Sequence, residues 1–466
     1  MFNQNYYLKR KKSNFIFFLL FIKLIFIIAL IIIIFIKIYK KNDFKSYING
    51  LLKNNVKIRF AIYIYCISNG GRERITTLLL NYLSKESIFD LYLFVQKTKS
   101  IEYKISEKIK RIHIPQKKGT LNVLKDKIIK NKIDIFVYQS YNIREMKMLN
   151  KLKNTKTIFF NHSCFLFWIY FNRISYIKNI YNMYKNSKYI ISLIPFENDF
   201  LFKKWGINSI LMSHLNTFKN YNISPSNLTS PIILMIGRGY DKLKRFYLGI
   251  EAMKYIVKEI PNCEMKIISV FYGINHLIKL VEKLNLKNNV KFVGFTTNPE
   301  IYYKNASLHI FTSICESFSM VLLETKIYGI PTIATGIDYT VTSKEGVINI
   351  FDDNPESIAK EAIKLLKNKT YREKIGKIAK ESTMHFKNED IIKKWIKLII
   401  AVYKGNKYYK RLAKENKKIS KNEAIILLKN QIKLLKMRYP KIKNLDLKDF
   451  FSFKFTEKLL KIKIKN

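Results

Sequence analysis

From Lys57 to Tyr403 short apolar runs alternate with longer amphipathic segments, and this rhythm limits the fold more than any other feature of the chain. The runs lie at about Ile58 to Tyr65, Leu91 to Val95, Arg111 to Ile114, Ile133 to Tyr138, Thr157 to Phe160, Tyr189 to Leu193 and Ser209 to Met212. They resume at Ile232 to Ile236, Met265 to Val270, Val290 to Val293, Leu308 to Phe311 and Val347 to Ile350. Strands that alternate with helices predict parallel sheets covered by helices, which places the chain in the α/β class. Between the two series lies Lys219 to Pro231, KNYNISPSNLTSP, polar and rich in turn formers. It reads as a linker. The expected organisation is a domain over 57–218, a linker over 219–231 and a second domain over 232–403.

Outside this region the chain changes character. Phe15 to Ile36 is apolar except for Lys23 and follows a basic cluster at Lys9 to Lys12. Spanning a bilayer core takes about 20 residues. Lys23 costs roughly 3 kcal/mol at mid-depth, which the surrounding Ile, Leu and Phe offset at about 0.5 kcal/mol each, so residues 1–40 are expected to hold a transmembrane helix, followed by a stem over 41–56. Lys37, Lys40, Lys41 and Lys45 balance the preceding basic cluster, so the positive-inside rule leaves the orientation open. At the other end, residues 404–466 are expected to form a basic helical tail. Ser420 and Glu423 have capping-box spacing, and Ile425, Leu428, Ile432 and Leu435 recur at helical intervals beside Lys429, Lys433, Lys436 and Arg438. Such a helix suits either an anionic membrane surface or the face of its own domain.

The formal charge of +51 comes mainly from Lys spread along the whole sequence. No basic motif interleaved with aromatic residues accompanies it, so nucleic acid is not expected as a partner. Cys66, Cys164, Cys263 and Cys315 are scattered without a C-x-x-C pair, which fits neither a zinc site nor a disulfide framework and suggests a reducing compartment.

The chemistry concentrates in Cys315 to Thr335, CESFSMVLLETKIYGIPTIAT. Glu316 falls in a loop after an apolar strand, and Glu324 in a helix that closes at Gly329 and Pro331. A helix opening near Phe318 or Ser319 directs free N–H groups and about half a positive charge at that loop, a seat for phosphate. The composite of strand, E-S-F-S, Glu324, G-x-P and a further strand resembles the E-x7-E signature of the retaining GT-B glycosyltransferases of family 4, also called glycosyl transferase group 1. The resemblance covers about Lys57 to Tyr403. It implies two Rossmann-like doubly wound domains facing a cleft. It also implies that Glu316 contacts the donor sugar, Glu324 the ribose hydroxyls, and the amides near Ser319 and Met320 the diphosphate. Ser317 and Ser319 stand where the family often has Gly.

Other elements fit the same resemblance. Ser68-Asn69-Gly70-Gly71 follows the first strand and precedes a helix from about Arg72 to Leu83, so Gly70 and Gly71 match the glycine-rich donor loop. Arg72 and Arg74 lie beside it, Arg74 reading as a solvated helix start. His162, just past the strand Thr157 to Phe160, sits where related transferases present a His to the reacting sugar. His214 reads as structural. After Ile232 to Ile236 comes Gly237-Arg238-Gly239-Tyr240-Asp241-Lys242-Leu243-Lys244-Arg245, which resembles the family's pyrophosphate-binding Arg and Lys element. Arg238 matches directly, and Lys244 is the chosen Lys, with Lys242 and Arg245 as alternatives.

The expectation is a membrane-anchored hexosyltransferase-type enzyme. It would transfer a sugar with retention from a nucleotide diphosphate sugar to a glycan or lipid-linked acceptor hydroxyl in cell-envelope synthesis, with its catalytic domain cytoplasmic. No D-x-D occurs in the sequence, so no metal or other cofactor is expected. A nucleotide-sugar epimerase or phosphorylase of the same fold, or a catalytically silent membrane scaffold, are the alternative readings.

Overall fold

The computed structural model describes residues 46–68, 70–99, 102–116, 120–164, 181–198, 206–218, 225–237, 241–270, 274–296, 298–415 and 421–438. The expected transmembrane run, Arg238 and much of the linker lie outside the described residues, as does Ser420 of the capping box. Among the described residues no helix is long and apolar enough to cross a membrane.

The chain divides into two compact units, Met1–Ile58 with Glu86–Asp90, and Arg59–Lys85 with Leu91–Asn466. Within the first, a helix covers 46–53, and the Ile58 N–H donates to Ile88 O at 2.9 Å. The second contains nearly all of both sheets and every site residue discussed below.

The first sheet comprises β1 (Ile58–Ile64), β2 (Phe89–Val95), β3 (Ile109–His113), β4 (Ile135–Tyr138), β5 (Lys156–Phe160), β6 (Tyr189–Ser192) and β7 (Ile210–Leu211) in the order 3-2-1-4-5-6-7. The second comprises β8 (Ile232–Ile236), β9 (Glu264–Ile268), β10 (Val290–Gly294), β11 (Leu308–Phe311), β12 (Thr332–Thr335) and β13 (Val347–Ile350) in the order 10-9-8-11-12-13. β1 runs parallel to β4, and β8 to both β9 and β11. Parallel strands are buried on both faces, which is why β4, β5, β6 and β11 read as nearly continuous apolar runs rather than alternating ones.

The second sheet has a core of Ile233, Met235, Met265, Ile267, Leu308, Ile310 and Ile333, closed by Phe246, Ile250 and Met253 of the helix Phe246–Glu259 and by Ile358, Ala362 and Leu365 of the helix Pro355–Lys367. Asn354 caps the latter through Glu356 N–H, and Pro355 occupies its first turn. In both sheets the strand order reverses beside the first strand, at β1/β4 and at β8/β11. The crevice beyond the carboxyl ends of the strands at such a reversal is where open α/β sheets receive ligands.

The tail helix Lys421–Arg438 packs on its own domain. Ile432, Leu434 and Leu435 are buried. Gly336 has φ +64°, and a Cβ there would stand 2.2 Å from the Leu434 side chain. Glu423, expected in a capping box, ion-pairs with Lys344 at 2.6 Å.

Candidate functional site

The second sheet's reversal point brings together the loops after β8 and β11. The four-residue helix Asp241–Lys244 carries Lys244, whose Nζ lies 2.7 Å from Glu316 Oε1 and 3.1 Å from Ser313 Oγ, 5.2 Å above the Phe311 ring. The loop is pinned to the helix through its backbone: Ile314 N–H donates to Leu243 O, and Thr312 Oγ1 to Lys244 O at 2.6 Å. Both partners of the Lys244–Glu316 pair are mostly buried, which keeps a strong local field in the crevice.

The alternatives for the cation separate clearly. Lys242 is exposed. Arg245 is 5% exposed, at φ +50°, and donates to Thr312 O at 2.8 Å, Thr335 Oγ1 at 2.7 Å and Asp353 Oδ2 at 2.6 Å. It is tied into the framework, and of these two and Lys244, Lys244 is the one paired with Glu316.

Glu316 begins the turn into the helix Met320–Ile327, which Ser319 caps from φ +62° with its hydroxyl accepting Leu322 N–H at 3.4 Å. The Ser319 hydroxyl thus accepts from the helix and keeps its own O–H as a donor, and an anion would meet it together with the backbone N–H groups around Ser319 and Met320. Glu324, one turn further, is 6% exposed. Its Oε2 accepts from the Tyr303 hydroxyl at 2.9 Å and its Oε1 from Thr217 Oγ1 at 2.8 Å and Arg74 Nη1 at 3.4 Å. Burial and the adjoining Glu324 charge push the Tyr303 hydroxyl well above its ordinary pKa, so Tyr303 remains a donor.

Arg74, expected as a solvated helix start, is the correction here. The helix Gly71–Leu83 is aimed so that its first turn meets the opposite half of the site. A Cβ on Gly70 would stand 1.8 Å from Glu73 Oε2, so the absence of a side chain lets Glu73 fold back on the turn, while a Cβ on Gly71 would meet only open space. Arg72 donates to Gln139 O at 3.3 Å and pairs with Glu73 at 3.2 Å.

His162 joins the site from the first sheet: its carbonyl accepts from Ser317 Oγ at 2.7 Å, next to Glu316. Its ring lies against Phe160 at 4.0 Å and is stacked on His214 at 5.3 Å. Both its ring nitrogens are buried and have no hydrogen-bond partner among the described residues. Burial first, then the neighbouring His214 and Arg72, hold its pKa well below the ordinary range. Burial thus favours the neutral form of the ring. His214 is pushed down to about 3 by burial and forms a wall against Phe318 at 5.0 Å.

Pattern reading missed Thr217, Tyr303 and Tyr339. Tyr339 is 1% exposed and its hydroxyl accepts the Glu316 N–H at 3.0 Å. None of the three lies in a motif, and each reaches the site only through the fold. A cavity of about 1050 Å³ lies elsewhere, beside Pro225, Leu228, Gly329 and Gly376, and none of the expected site residues lines it.

Residues 217–382 match the glycosyl transferases group 1 family. The matched segment includes all six strands of the second sheet, β8 to β13. It contains Lys244, Glu316, Ser319, Met320 and Glu324, while His162, Gly70 and Arg74 come from the sheet before it. The chain is 26% identical over 186 residues to the poly(glycerol-phosphate) alpha-glucosyltransferase of Bacillus subtilis, covering 38% of this chain and 28% of that protein. It is 25% identical over 337 residues to a Campylobacter jejuni enzyme, N-acetylgalactosamine-N,N'-diacetylbacillosaminyl-diphospho-undecaprenol 4-alpha-N-acetylgalactosaminyltransferase, covering 64% of this chain and 84% of that one. The fold superposes on sucrose-phosphate synthase from Thermosynechococcus elongatus with a TM-score of 0.62 at 17% identity, over 75% of this chain and 100% of that one. The two parallel sheets thus have the GT-B arrangement.

Proposed function

We propose that the protein is a retaining glycosyltransferase of family 4 that moves a sugar from a nucleotide diphosphate sugar to an acceptor hydroxyl on an envelope or lipid-linked glycan. The observation that carries this reading is the spacing of charge along one loop and helix. Lys244 and Glu316 meet at the open end of the β8/β11 crevice, and Glu324 lies one helical segment away with its carboxylate held by three donors. That span suits a sugar at one end, a diphosphate in the middle and a ribose at the other.

Each group has a task set by its surroundings. Lys244 and the amides near Ser319 and Met320 stabilise the negative charge that grows on the departing diphosphate. Glu316, fixed by Tyr339 and Lys244, orients the sugar hydroxyls. His162 borders the sugar end of the site, where its buried ring nitrogens would reach the sugar or acceptor only through a rearrangement on donor binding. Glu324 accepts from the ribose hydroxyls. Gly70 and Gly71 allow the chain to approach the donor closely. Arg238 is assigned to the diphosphate by its place in the sequence motif.

The names of the two relatives support the substrate class, since one acts on poly(glycerol-phosphate) and the other on a diphospho-undecaprenol-linked sugar, both with alpha linkage. We assign the charge stabilisation to Lys244 and the helix amides, without a metal. The apolar run Phe15 to Ile36 is proposed to anchor the enzyme in a membrane, with the catalytic domain cytoplasmic.

The test is donor binding followed by transfer, using full-length protein in detergent. Ligands that bind only the native state raise its melting temperature. A selective shift with one of the UDP-, GDP-, ADP- or CMP-sugars is expected, unchanged by EDTA and lost in Glu324→Ala. With charge-assisted hydrogen bonds removed, Glu324→Ala should lose about 1.5 to 3 kcal/mol of donor affinity. Product made with an acceptor, and retaining the donor's anomeric configuration by NMR, supports transfer. Conversion of donor without acceptor indicates an epimerase, and a requirement for free phosphate a phosphorylase. Absence of both binding and turnover indicates a scaffold.

A further inference from the structure

The helix Lys421–Arg438 lies beyond the matched segment 217–382, yet it grips both loops that hold Glu316. At its end, Arg438 donates through Nη1 to Ile314 O at 3.2 Å and through Nη2 and Nε to the two carboxylate oxygens of Asp353, with Nη2 at 2.8 Å from Oδ1. Asp353 also receives Arg245, which binds Thr312 O. One carboxylate therefore ties the tail to the loop Thr312–Glu316. Two turns earlier, Gln431 Nε2 donates to Gly336 O at 2.9 Å and to Asp338 Oδ1 at 3.1 Å, and Asn430 Nδ2 to Asp338 Oδ2 at 2.9 Å. The next residue is Tyr339, whose hydroxyl receives the Glu316 N–H.

These contacts are not those of a helix merely covering apolar surface. The Arg438 side chain is 7% exposed, so its charge has been taken out of water and is compensated by a bidentate carboxylate and a loop carbonyl. We propose that the tail helix is a positioning element for Glu316, with Arg438 as its principal positioning residue and Gln431 as the second point of purchase. Arg438 acts through Ile314 and Asp353, Gln431 through Asp338 and Tyr339, and neither touches substrate. The kinetic consequence rests on the transferase reading; the mechanical one does not.

Cys315 provides a reporter inside the molecule. It is 3% exposed and lies between Ile314 and Glu316, so local opening of this loop would expose it. Cys263 is fully buried in the β8 to β10 core and serves as the control.

The experiment compares wild type, Arg438→Ala, Arg438→Lys and Gln431→Ala as full-length proteins in two assays. In the first, N-ethylmaleimide labelling is followed at each cysteine by mass spectrometry. Arg438→Ala is expected to speed labelling of Cys315 by roughly tenfold through easier local opening, with Cys263 unchanged. In the second, kcat should fall about 10- to 100-fold because the sugar is misplaced, while the donor KM stays near wild type because Glu324 is untouched. Arg438→Lys should recover part of both effects, and Gln431→Ala should show the same pattern more weakly. Unchanged Cys315 protection overturns the proposal, as does equal deprotection of Cys315 and Cys263, which would make Arg438 a general stabiliser. If Arg438→Ala fails to fold, Gln431→Ala decides by the same criteria. A wild type that turns over no donor rejects the transferase reading alone, since the labelling result still settles the positioning role.

Discussion

Arg74 and Glu324 are 250 residues apart in sequence and 3.4 Å apart in space, Nη1 to Oε1. The guanidinium comes from the first turn of the helix Gly71–Leu83, the carboxylate from the helix Met320–Ile327. Glu324 has about four lone-pair directions, of which Tyr303, Thr217 and Arg74 occupy three. A ribose offering two hydroxyls needs two of them. Arg74 is the donor that yields, because its contact is the longest and its side chain is 41% exposed.

Arg74→Ala should therefore tighten donor binding, by about two- to fivefold, since a long ion pair whose cation is partly open to solvent contributes about 1 kcal/mol or less. Isothermal titration at low and high salt checks this. High salt should narrow the gap between variant and wild type by screening the competing pair. Weaker binding in the variant would mean that Arg74 contacts the donor itself.

The three candidate cations make distinct predictions. Lys244→Ala should fold and lose about 10² in kcat/KM, the cost of removing one preorganised charge from a leaving-group site. Lys242→Ala should behave as wild type in the same steady-state assay. Arg245→Ala should unfold at markedly lower urea, losing about 3 kcal/mol, because it deprives Thr312, Thr335 and Asp353 of a buried partner. An active, stable Arg245→Ala would contradict its framework role.

The buried histidines set the acid limit of stability. Burial, and for His309 also the nearby Lys244 charge, pushes both His214 and His309 down to about 3. The sign follows from proton uptake. Well above pH 6.5 neither folded nor unfolded histidine is charged, and stability is complete; as the pH falls through about 6.5 the unfolded chain binds protons that the folded chain excludes. Each histidine then removes up to about 1.4 kcal/mol per pH unit as the pH falls. His162 contributes in the same direction. Urea midpoints measured from pH 7.5 to 5 should decline, and His214→Phe should flatten the decline. A midpoint constant over that interval would show that these rings are protonated or solvated in the folded protein.

Much of the site is legible in the sequence. The strand–loop–helix around Glu316 and Glu324 is a local object: apolar β11, a capping Ser319 and the breaker pair Gly329 and Pro331 specify it within one stretch of chain. The chain's alternation likewise marked nearly every strand of both sheets, because a parallel strand buried on both faces must be apolar along its length. The same local rules misjudged Arg74, whose role depends on a partner from the other sheet, and could not choose between membrane and domain for the tail helix. The apolar stripe of Ile432 and Leu435 is compatible with either surface.

What the sequence by itself determined, then, is the set of short-range objects: two runs of alternating strand and helix, the glycine turn at Gly70 and Gly71, and the acidic pair eight residues apart. Tertiary structure decided which charges meet. It assigned Lys244 rather than Arg245 to Glu316, closed Arg74, Thr217 and Tyr303 around Glu324, and seated Arg438 on Asp353. The physical reason is one of range. Periodicity and capping act over a few residues and are written in neighbouring side chains, whereas a buried ion pair depends on desolvation and distance in three dimensions, which exist only once the sheets have packed.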